Sequence, residues 1–212
     1  MSSFPEQLTD RFRRFKHRHF VPNADHYEEL ATYGQHPQTM IISCCDSRVD
    51  PETVFSAMPG ELFVVRNVAN LVPPFEKGGL FHGVSAAIEF AVLNLRVKHI
   101  VIMGHSGCGG VKAALDQSAA IQTEAQFISR WMSMLDDARL RVLSANQMAP
   151  KADQLAALER EGIKTSIKNL RTFPFVKEVE DKGRLSLHGA YFDIKSGDLR
   201  VLNHSRGEFF SL

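Results

Sequence analysis

HIVIMGHSGCGGVK, residues 99–112, runs from a short apolar segment into a glycine-rich turn. The apolar segment His99–Met103 predicts a buried strand. The turn GHSGCGG occupies 104–110, and a helical pattern begins near Val111. A strand followed directly by a turn and a helix is typical of an α/β domain.

The same alternation continues on both sides of this stretch. Further strands are predicted at Thr39–Ser43, Leu62–Val65, Leu185–Phe192 and Leu199–Asn203, and helices over Leu80–Leu95, 122–145 and 152–171. We therefore expect the α/β class, with a mainly parallel central β-sheet flanked by helices. There is no internal repeat or low-complexity linker, so residues 1–212 are predicted to form a single domain.

Residues 1–35 predict an N-terminal helical arm. An apolar stripe at close to helical spacing consists of Phe4, Leu8, Phe12 and Phe15. A second short helix is predicted over Asp25–Tyr33, ended by Gly34. The stripe favours packing on the chain's own domain or on a second subunit. A membrane-surface helix and a nucleic-acid arm are the remaining alternatives.

The overall composition narrows the class of protein. The chain is 44% hydrophobic and 23% charged, as in an ordinary soluble globular protein. Its formal net charge of +1 gives no reason to expect a nucleic-acid or membrane partner. No apolar run has the length of a membrane span, and the N-terminus lacks the apolar stretch of a secretory signal. We expect a cytoplasmic protein.

The cysteines do not suggest a disulfide framework. There are three of them, an odd number, and Cys44 and Cys45 are adjacent. Reduced thiols or thiolate ligands fit this pattern better than structural bridges.

Cys44, His105 and Cys108 are candidate metal ligands. Cys44 ends one predicted strand, while His105 and Cys108 follow another. In a parallel sheet, such positions meet beyond the carboxyl ends of the strands. Two thiolates and an imidazole suit zinc and leave a fourth position for water or substrate. The alternative is two buried cysteines and a core or capping histidine, and spacing alone does not decide between the two interpretations.

The segment Cys44-Cys45-Asp46-Ser47-Arg48 favours the metal. Asp46 and Arg48 can form a bidentate pair that keeps the carboxylate ionised beside the metal. A carboxylate there would accept a hydrogen bond from metal-bound water. A surface ion pair of little energetic value is the alternative.

These motifs together resemble the β-class carbonic anhydrases, in their plant-like branch. C-x-D-S-R at 44–48 and H-x-x-C at 105–108 are accompanied by PGELFVVRNVANLVPP at 59–74 and SAAIEFAVLNL at 85–95. The resemblance is dense from about residue 34 to 115 and recovers near His188-Gly189. It implies a parallel-centred α/β sheet with helical extensions.

The resemblance also implies an activity and roles for individual residues. Cys44, His105 and Cys108 match zinc ligands, with one zinc per chain, and Asp46 and Arg48 match a catalytic dyad. The implied reaction is the reversible hydration of carbon dioxide to bicarbonate and a proton by zinc-bound hydroxide, oriented by that dyad. The implied assembly is a homo-oligomer, a dimer or tetramer.

Five further positions match the substrate site of that branch. Gln35, Phe63, Val68 and Phe90 correspond to pocket positions, and Gly109 to a backbone donor. Phe90 stands where the branch commonly has tyrosine, so a hydroxyl is missing. Ile41 replaces the tryptophan of members that have a second, inhibitory bicarbonate site, which argues against allosteric bicarbonate binding.

Other functions agree less well with the residues. A serine-hydrolase G-x-S-x-G motif needs glycine at 108, where the chain has cysteine, and the glycines of 104–110 do not have dinucleotide-binding spacing. Two alternatives remain open. One is a zinc-stabilised module without turnover, and the other is an enzyme that hydrolyses a carbon dioxide analogue such as CS₂.

Overall fold

The computed structural model describes residues 4–78, 82–116 and 127–212. Within these ranges, six strands form one mixed sheet in the order β2-β1-β3-β4-β5-β6. They are β1 (Thr39–Cys44), β2 (Leu62–Asn67), β3 (His99–His105), β4 (Ser186–Phe192), β5 (Leu199–Asn203) and β6 (Glu208–Ser211). The strands β2, β1, β3 and β4 are parallel, and β5 and β6 are antiparallel. The predicted α/β class with a mainly parallel sheet is therefore confirmed.

Helices cover the sheet and form the N-terminal arm. They are α1 (Glu6–Phe15), α2 (Ala24–Tyr33), α3 (Pro51–Val54), α4 (Gly83–Glu89), α5 (Gly109–Asp116), α6 (Ile128–Met132), α7 (Asp136–Ala145), α8 (Lys151–Leu170) and α9 (Pro174–Asp181). Wider π-helical turns continue α1 over Lys16–Phe20 and α4 over Phe90–Leu95. No helix in the described part of the chain is long and apolar enough to cross a bilayer.

The predicted elements agree with the structure in type but less well in their ends. The strand that begins at His99 extends to His105, so the first ligand of the turn belongs to the sheet. The helix predicted over Leu80–Leu95 begins at Gly83, and Leu80 lies outside the described residues. Over 122–145, the described part is broken into α6, a 3₁₀ turn and α7. The short elements α3, α9 and β6 were not predicted.

The two faces of the sheet pack different cores. Met40 and Ile42 point to the same face of the sheet, because alternate residues of a strand do so. On that face they pack against α4, α8 and α9. Ile41 and Met103 point to the opposite face, where they pack around Val49. A third cluster at the carboxyl ends of the strands includes residues of α5 to α8. The candidate ligands Cys44 and Cys108 belong to this third cluster.

Two glycines allow α8 to lie close to the sheet. A Cβ atom at Gly104 on β3 would lie 2.8 Å from Cδ1 of Ile163, and one at Gly189 on β4 would lie 2.8 Å from its Cγ2. Ile163 is fully buried on α8. The side chain of Ile163 therefore occupies the space that side chains at 104 and 189 would need, which brings α8 against β3 and β4.

We expect Gly189→Ala to destabilise the protein. The added methyl group would also lie 3.1 Å from Cβ of Leu202, which cannot move without its backbone. Overpacking of this kind costs about 1–3 kcal/mol. Urea denaturation should show that loss in the free energy of unfolding. Gly83→Ala is the matched control, since a Cβ there has no atom within 4 Å. Equal stability of the two variants would contradict the close packing of α8.

Candidate metal centre

Adjacent strand ends bring the three candidate ligands together. Cys44 is the last residue of β1 and His105 the last of β3, and these strands are parallel neighbours. Gly107, with φ +68°, turns the chain so that Cys108 faces them. The Sγ atoms of Cys44 and Cys108 are 3.9 Å apart. All three ligand atoms lie within 4.8 Å of one another.

The histidine presents its Nε2 atom to this centre. Nδ1 of His105 lies 3.0 Å from the carbonyl oxygen of Ser106, and because a carbonyl only accepts, Nδ1 carries a proton. In the neutral ring Nε2 is then a free acceptor, and it is buried without a hydrogen-bond partner. An unsatisfied buried polar atom is costly. A metal ion at Nε2 would remove that cost, so the residues present fit a metal.

The sulfur atoms of Cys44 and Cys108 share one proton in their hydrogen bond. A hydrogen bond from Cys108 lowers the pKa of Cys44 to about 4, against the opposing effect of burial. The same contact, together with burial, raises the pKa of Cys108. One thiolate is thus favoured inside the protein even without a cation. Two thiolates and an imidazole are the donors that zinc prefers, and binding a dication would displace the shared proton.

Asp46 and Arg48 form the predicted bidentate pair beside the cluster. Oδ1 of Asp46 accepts from Nε of Arg48 at 2.9 Å, and Oδ2 accepts from a terminal nitrogen at 2.7 Å. That nitrogen also donates to the carbonyl oxygen of Gly107 at 3.2 Å. The guanidinium holds the pKa of Asp46 well below its usual range. Oδ2 lies 3.9 Å from Nε2 of His105, so the carboxylate faces the ligands.

Arg66 supports the loop between Cys44 and Asp50, and the sequence analysis did not identify it. Its Nε donates to the carbonyl oxygen of Cys44 at 3.0 Å, and a terminal nitrogen donates to that of Asp46 at 2.6 Å. The same nitrogen donates to Val49 O at 3.1 Å. An arginine inside the apolar strand β2 was the signal that could have revealed this role.

Glu159 is a second supporting residue that the sequence analysis missed. Its Oε1 accepts from the backbone N–H of Cys108 at 2.8 Å, and its Oε2 accepts from the hydroxyl of Tyr191 at 2.7 Å. The side chain is 3% exposed, and burial raises the pKa of the carboxyl. A carboxylate in helical register with buried Ile163 and Ile167 was the available signal.

One chain brings only some of the predicted pocket residues to the cluster. Gly109 directly follows Cys108, and Val68 lies close to the start of α5, where a Cβ at Gly110 would meet its Cγ1 at 2.8 Å. Phe63 pairs in register with Met40, four residues before Cys44. At about 3.3 Å per residue, that is roughly 13 Å along the strand.

Phe90 and Gln35 also lie away from the three ligands in the same chain. The rings of Phe63 and Phe90 are in contact, with centroids 5.9 Å apart. Gln35 precedes β1 and is exposed, at the end of that strand opposite Cys44. A single chain therefore does not bring all the predicted residues to one pocket, and the shared pocket stays a prediction.

Comparison with known proteins gives a consistent result. A family model described as "Carbonic anhydrase" matches residues 39–199. The chain is 35% identical over 196 residues to "Beta carbonic anhydrase 6, mitochondrial" of Arabidopsis thaliana, covering 92% of this chain and 67% of that protein.

Two solved structures show the same likeness in three dimensions. One is described as the β-carbonic anhydrase CcaA, with a TM-score of 0.91, 31% identity and coverage of 98% of this chain and 91% of that one. Another belongs to two tetrameric β-carbonic anhydrases from Sordaria macrospora, with a TM-score of 0.82, 29% identity and coverage of 93% and 95%.

We expect the purified chain to bind about one zinc ion through these three residues. Cys44→Ser and Cys108→Ser should each weaken zinc binding by at least about tenfold, because two protein ligands remain. Elemental analysis after dialysis against a competing chelator would measure this. Cys45→Ser is the matched control, since Cys45 is exposed and outside the cluster. Zinc retained by Cys44→Ser, or lost from Cys45→Ser, would contradict the assignment.

Proposed function

The chain belongs to the β-carbonic anhydrase family of lyases, and we propose on that basis that it is a zinc enzyme that reversibly hydrates carbon dioxide to bicarbonate and a proton. The observation that carries the proposal is the buried cluster of Cys44, His105 and Cys108 with a carboxylate directed at it. A metal site without turnover would not need that carboxylate. Asp46 and its partner Arg48 therefore favour an enzyme over a zinc-stabilised module.

The donor set defines what the metal site can do. Zinc at Cys44, His105 and Cys108 would supply, at its fourth position, a water that ionises far more easily than bulk water. Two thiolates offset the charge of a dication, whereas three neutral imidazoles leave it uncompensated. Correct orientation of the nucleophile by the protein then matters more, and Asp46 is the group placed to provide it.

Asp46 acts as an acceptor that Arg48 keeps in place. With both carboxylate oxygens held by the guanidinium, Asp46 remains ionised and can still accept one hydrogen bond from a water at the site. Accepting that bond aims the oxygen lone pair of the nucleophile at carbon dioxide. The same carboxylate, once released by Arg48, would be free to bind the metal and close the site. The pairing with Arg48 supports the open arrangement.

The pocket for carbon dioxide is proposed to be completed by a second copy of the chain. Val68 and Gly109 lie beside the ligands, but Phe63 on β2 and Phe90, which follows α4 and contacts the ring of Phe63, lie away from them. β2 is an edge strand of the sheet, so its outer side is available to another subunit. Phe90 is 45% exposed, which leaves its ring free to form an apolar wall for a nonpolar gas.

The N-terminal arm is proposed to hold the subunits together. The tetrameric relatives support a homo-oligomer, and we expect a dimer or tetramer. Phe4, just before α1, is 70% exposed, and Phe12 on α1 is 59% exposed. They belong to an apolar face that this chain does not cover. Burying these rings against a partner would contribute about 25 cal/mol per Å² of apolar surface.

We expect Asp46→Asn to keep its zinc and lose most of its carbon dioxide hydration. The amide cannot replace a charged acceptor, and a loss of roughly 10²-fold or more is expected. Stopped-flow hydration across pH, with zinc measured in the same sample, tests this. Asp181→Asn, at the end of α9 and paired with Lys177, is the matched control.

Near-normal hydration by Asp46→Asn would remove Asp46 from the mechanism. Wild-type protein with about one zinc per chain and no hydration at any pH would refute the proposed reaction while sparing the metal site. Turnover of CS₂ by that same sample would then indicate the analogue hydrolase.

We expect Phe12→Glu to weaken assembly. A carboxylate on the apolar face of α1 would have to be buried against the partner, which is costly. Sedimentation velocity should show smaller species, and hydration should fall while zinc content holds, because the pocket loses the partner's phenylalanines. Gln7→Glu, an exposed position on the same helix, adds the same charge as a control. Unchanged assembly of Phe12→Glu would count against the role of the arm.

A further inference from the structure

We propose that Glu159 is a positioning residue, which fixes the ligand Cys108 by accepting a hydrogen bond from its backbone N–H. The inference rests on the proposed zinc site. Glu159 reaches no candidate ligand atom in its hydrogen bonds, so it would act only through Cys108. Through Glu159 on α8 and Tyr191 on β4, the support of the site would extend beyond the turn itself.

The turn that carries the ligands needs support from outside. It contains Gly107 in a left-handed conformation and is followed by Gly109 and Gly110. Glycines lose more conformational freedom on folding than other residues, so this segment is intrinsically loose. Ser106 is held by β4, where its N–H donates to Phe192 O at 2.9 Å. Glu159 provides the corresponding contact for Cys108 itself.

The position of Cys108 just before α5 leaves its own N–H without an acceptor in the helix. The first N–H groups of a helix have no partner within it, and the side chain of the residue just before the helix can reach the N–H groups two or three positions further on but not its own. Here that position holds a cysteine, whose sulfur faces Cys44. Its own N–H is satisfied from a different helix, by Oε1 of Glu159 at 2.8 Å.

Glu159 is itself held rigidly. Its second oxygen accepts from Tyr191, a buried residue of β4. One turn further along α8, Ile163 is packed against Gly104 and Gly189. Both oxygens are therefore used, and the helix that carries them is packed closely against the sheet. A buried carboxylate is kept only where such partners offset its desolvation.

The hydrogen bonds, and not the charge, are what this role requires. A glutamine at 159 can accept from Cys108 through its oxygen and donate to the hydroxyl oxygen of Tyr191 through its nitrogen. Alanine removes both contacts. The comparison of Glu159→Gln with Glu159→Ala therefore separates positioning by hydrogen bonds from an electrostatic effect.

The experiment measures release of zinc from the loaded, full-length protein to a colorimetric chelator. Glu159→Ala should release zinc about 10- to 100-fold faster than wild type, the range found when a supporting partner of a metal ligand is removed. Glu159→Gln should stay close to wild type. Ser166→Ala is the matched control, because Ser166 is a buried polar residue of α8 that bonds Asn70 and Val72 instead of the turn.

A spectroscopic readout separates positioning from general destabilisation. In the cobalt-substituted protein, the thiolate-to-metal absorption reports the geometry of Cys44 and Cys108. We expect it to shift in Glu159→Ala and to remain unchanged in Glu159→Gln and Ser166→Ala. Thermal unfolding of all three variants shows how much each substitution destabilises the protein as a whole.

The outcomes distinguish this inference from the proposed function. Zinc release from Glu159→Ala at the wild-type or Ser166→Ala rate would overturn the role of Glu159 alone, as would Glu159→Gln behaving like alanine. A wild-type chain that holds zinc but hydrates no carbon dioxide would refute the reaction and leave the role of Glu159 standing. Wild-type protein that binds no zinc would overturn both.

Discussion

The parallel pairing of β1 with β3 is the constraint on which the candidate site depends. It makes both strands end at the same edge of the sheet, so Cys44 and His105 meet although 61 residues separate them. A one-residue slip would turn one of the two side chains to the other face. Met40 and Ile42 pack into one core and Ile41 into the core on the opposite face, so a slip would also exchange side chains between two closely packed faces. In this way the hydrophobic cores help to determine the geometry of a polar centre.

Backbone groups, more than side chains, connect that centre to the rest of the molecule. Arg66 binds the carbonyl oxygen of Cys44 at the end of β1 and two more in the following loop, and Arg48 binds the carbonyl of Gly107. Glu159 binds the N–H of Cys108. These loop groups have no strand partner, so charged side chains satisfy them instead: Glu159 is buried, Arg66 is half-buried and Arg48 is exposed. The backbone at Cys44 and Cys108 is thereby held by other residues, and the sulfur atoms of the two cysteines take no part in these contacts.

The sequence predicted the parts of the molecule that have a local signal. Apolar runs located five of the six strands in the described residues, and H-x-x-C with C-x-D-S-R located the cluster and its ion pair. Glu159 and Arg66 act across 51 and 22 residues, and only the packing of α8 and β2 shows where their side chains reach. β6 is a short edge strand, and its four residues carry too little pattern to be recognised. The separation of Phe63 from Cys44 depends on register, which composition does not reveal.

The order in which the chain is synthesised gives the contact of Glu159 with Cys108 a further meaning. All three candidate ligands lie within the first 108 residues, whereas Glu159 and Tyr191 leave the ribosome later. β4, which borders β3 in the finished sheet, also belongs to this second half. A nascent chain thus presents its thiols and imidazole before it can fix them. The complete support of Cys108 by Glu159 and Tyr191 can therefore form only after residue 191 has been synthesised.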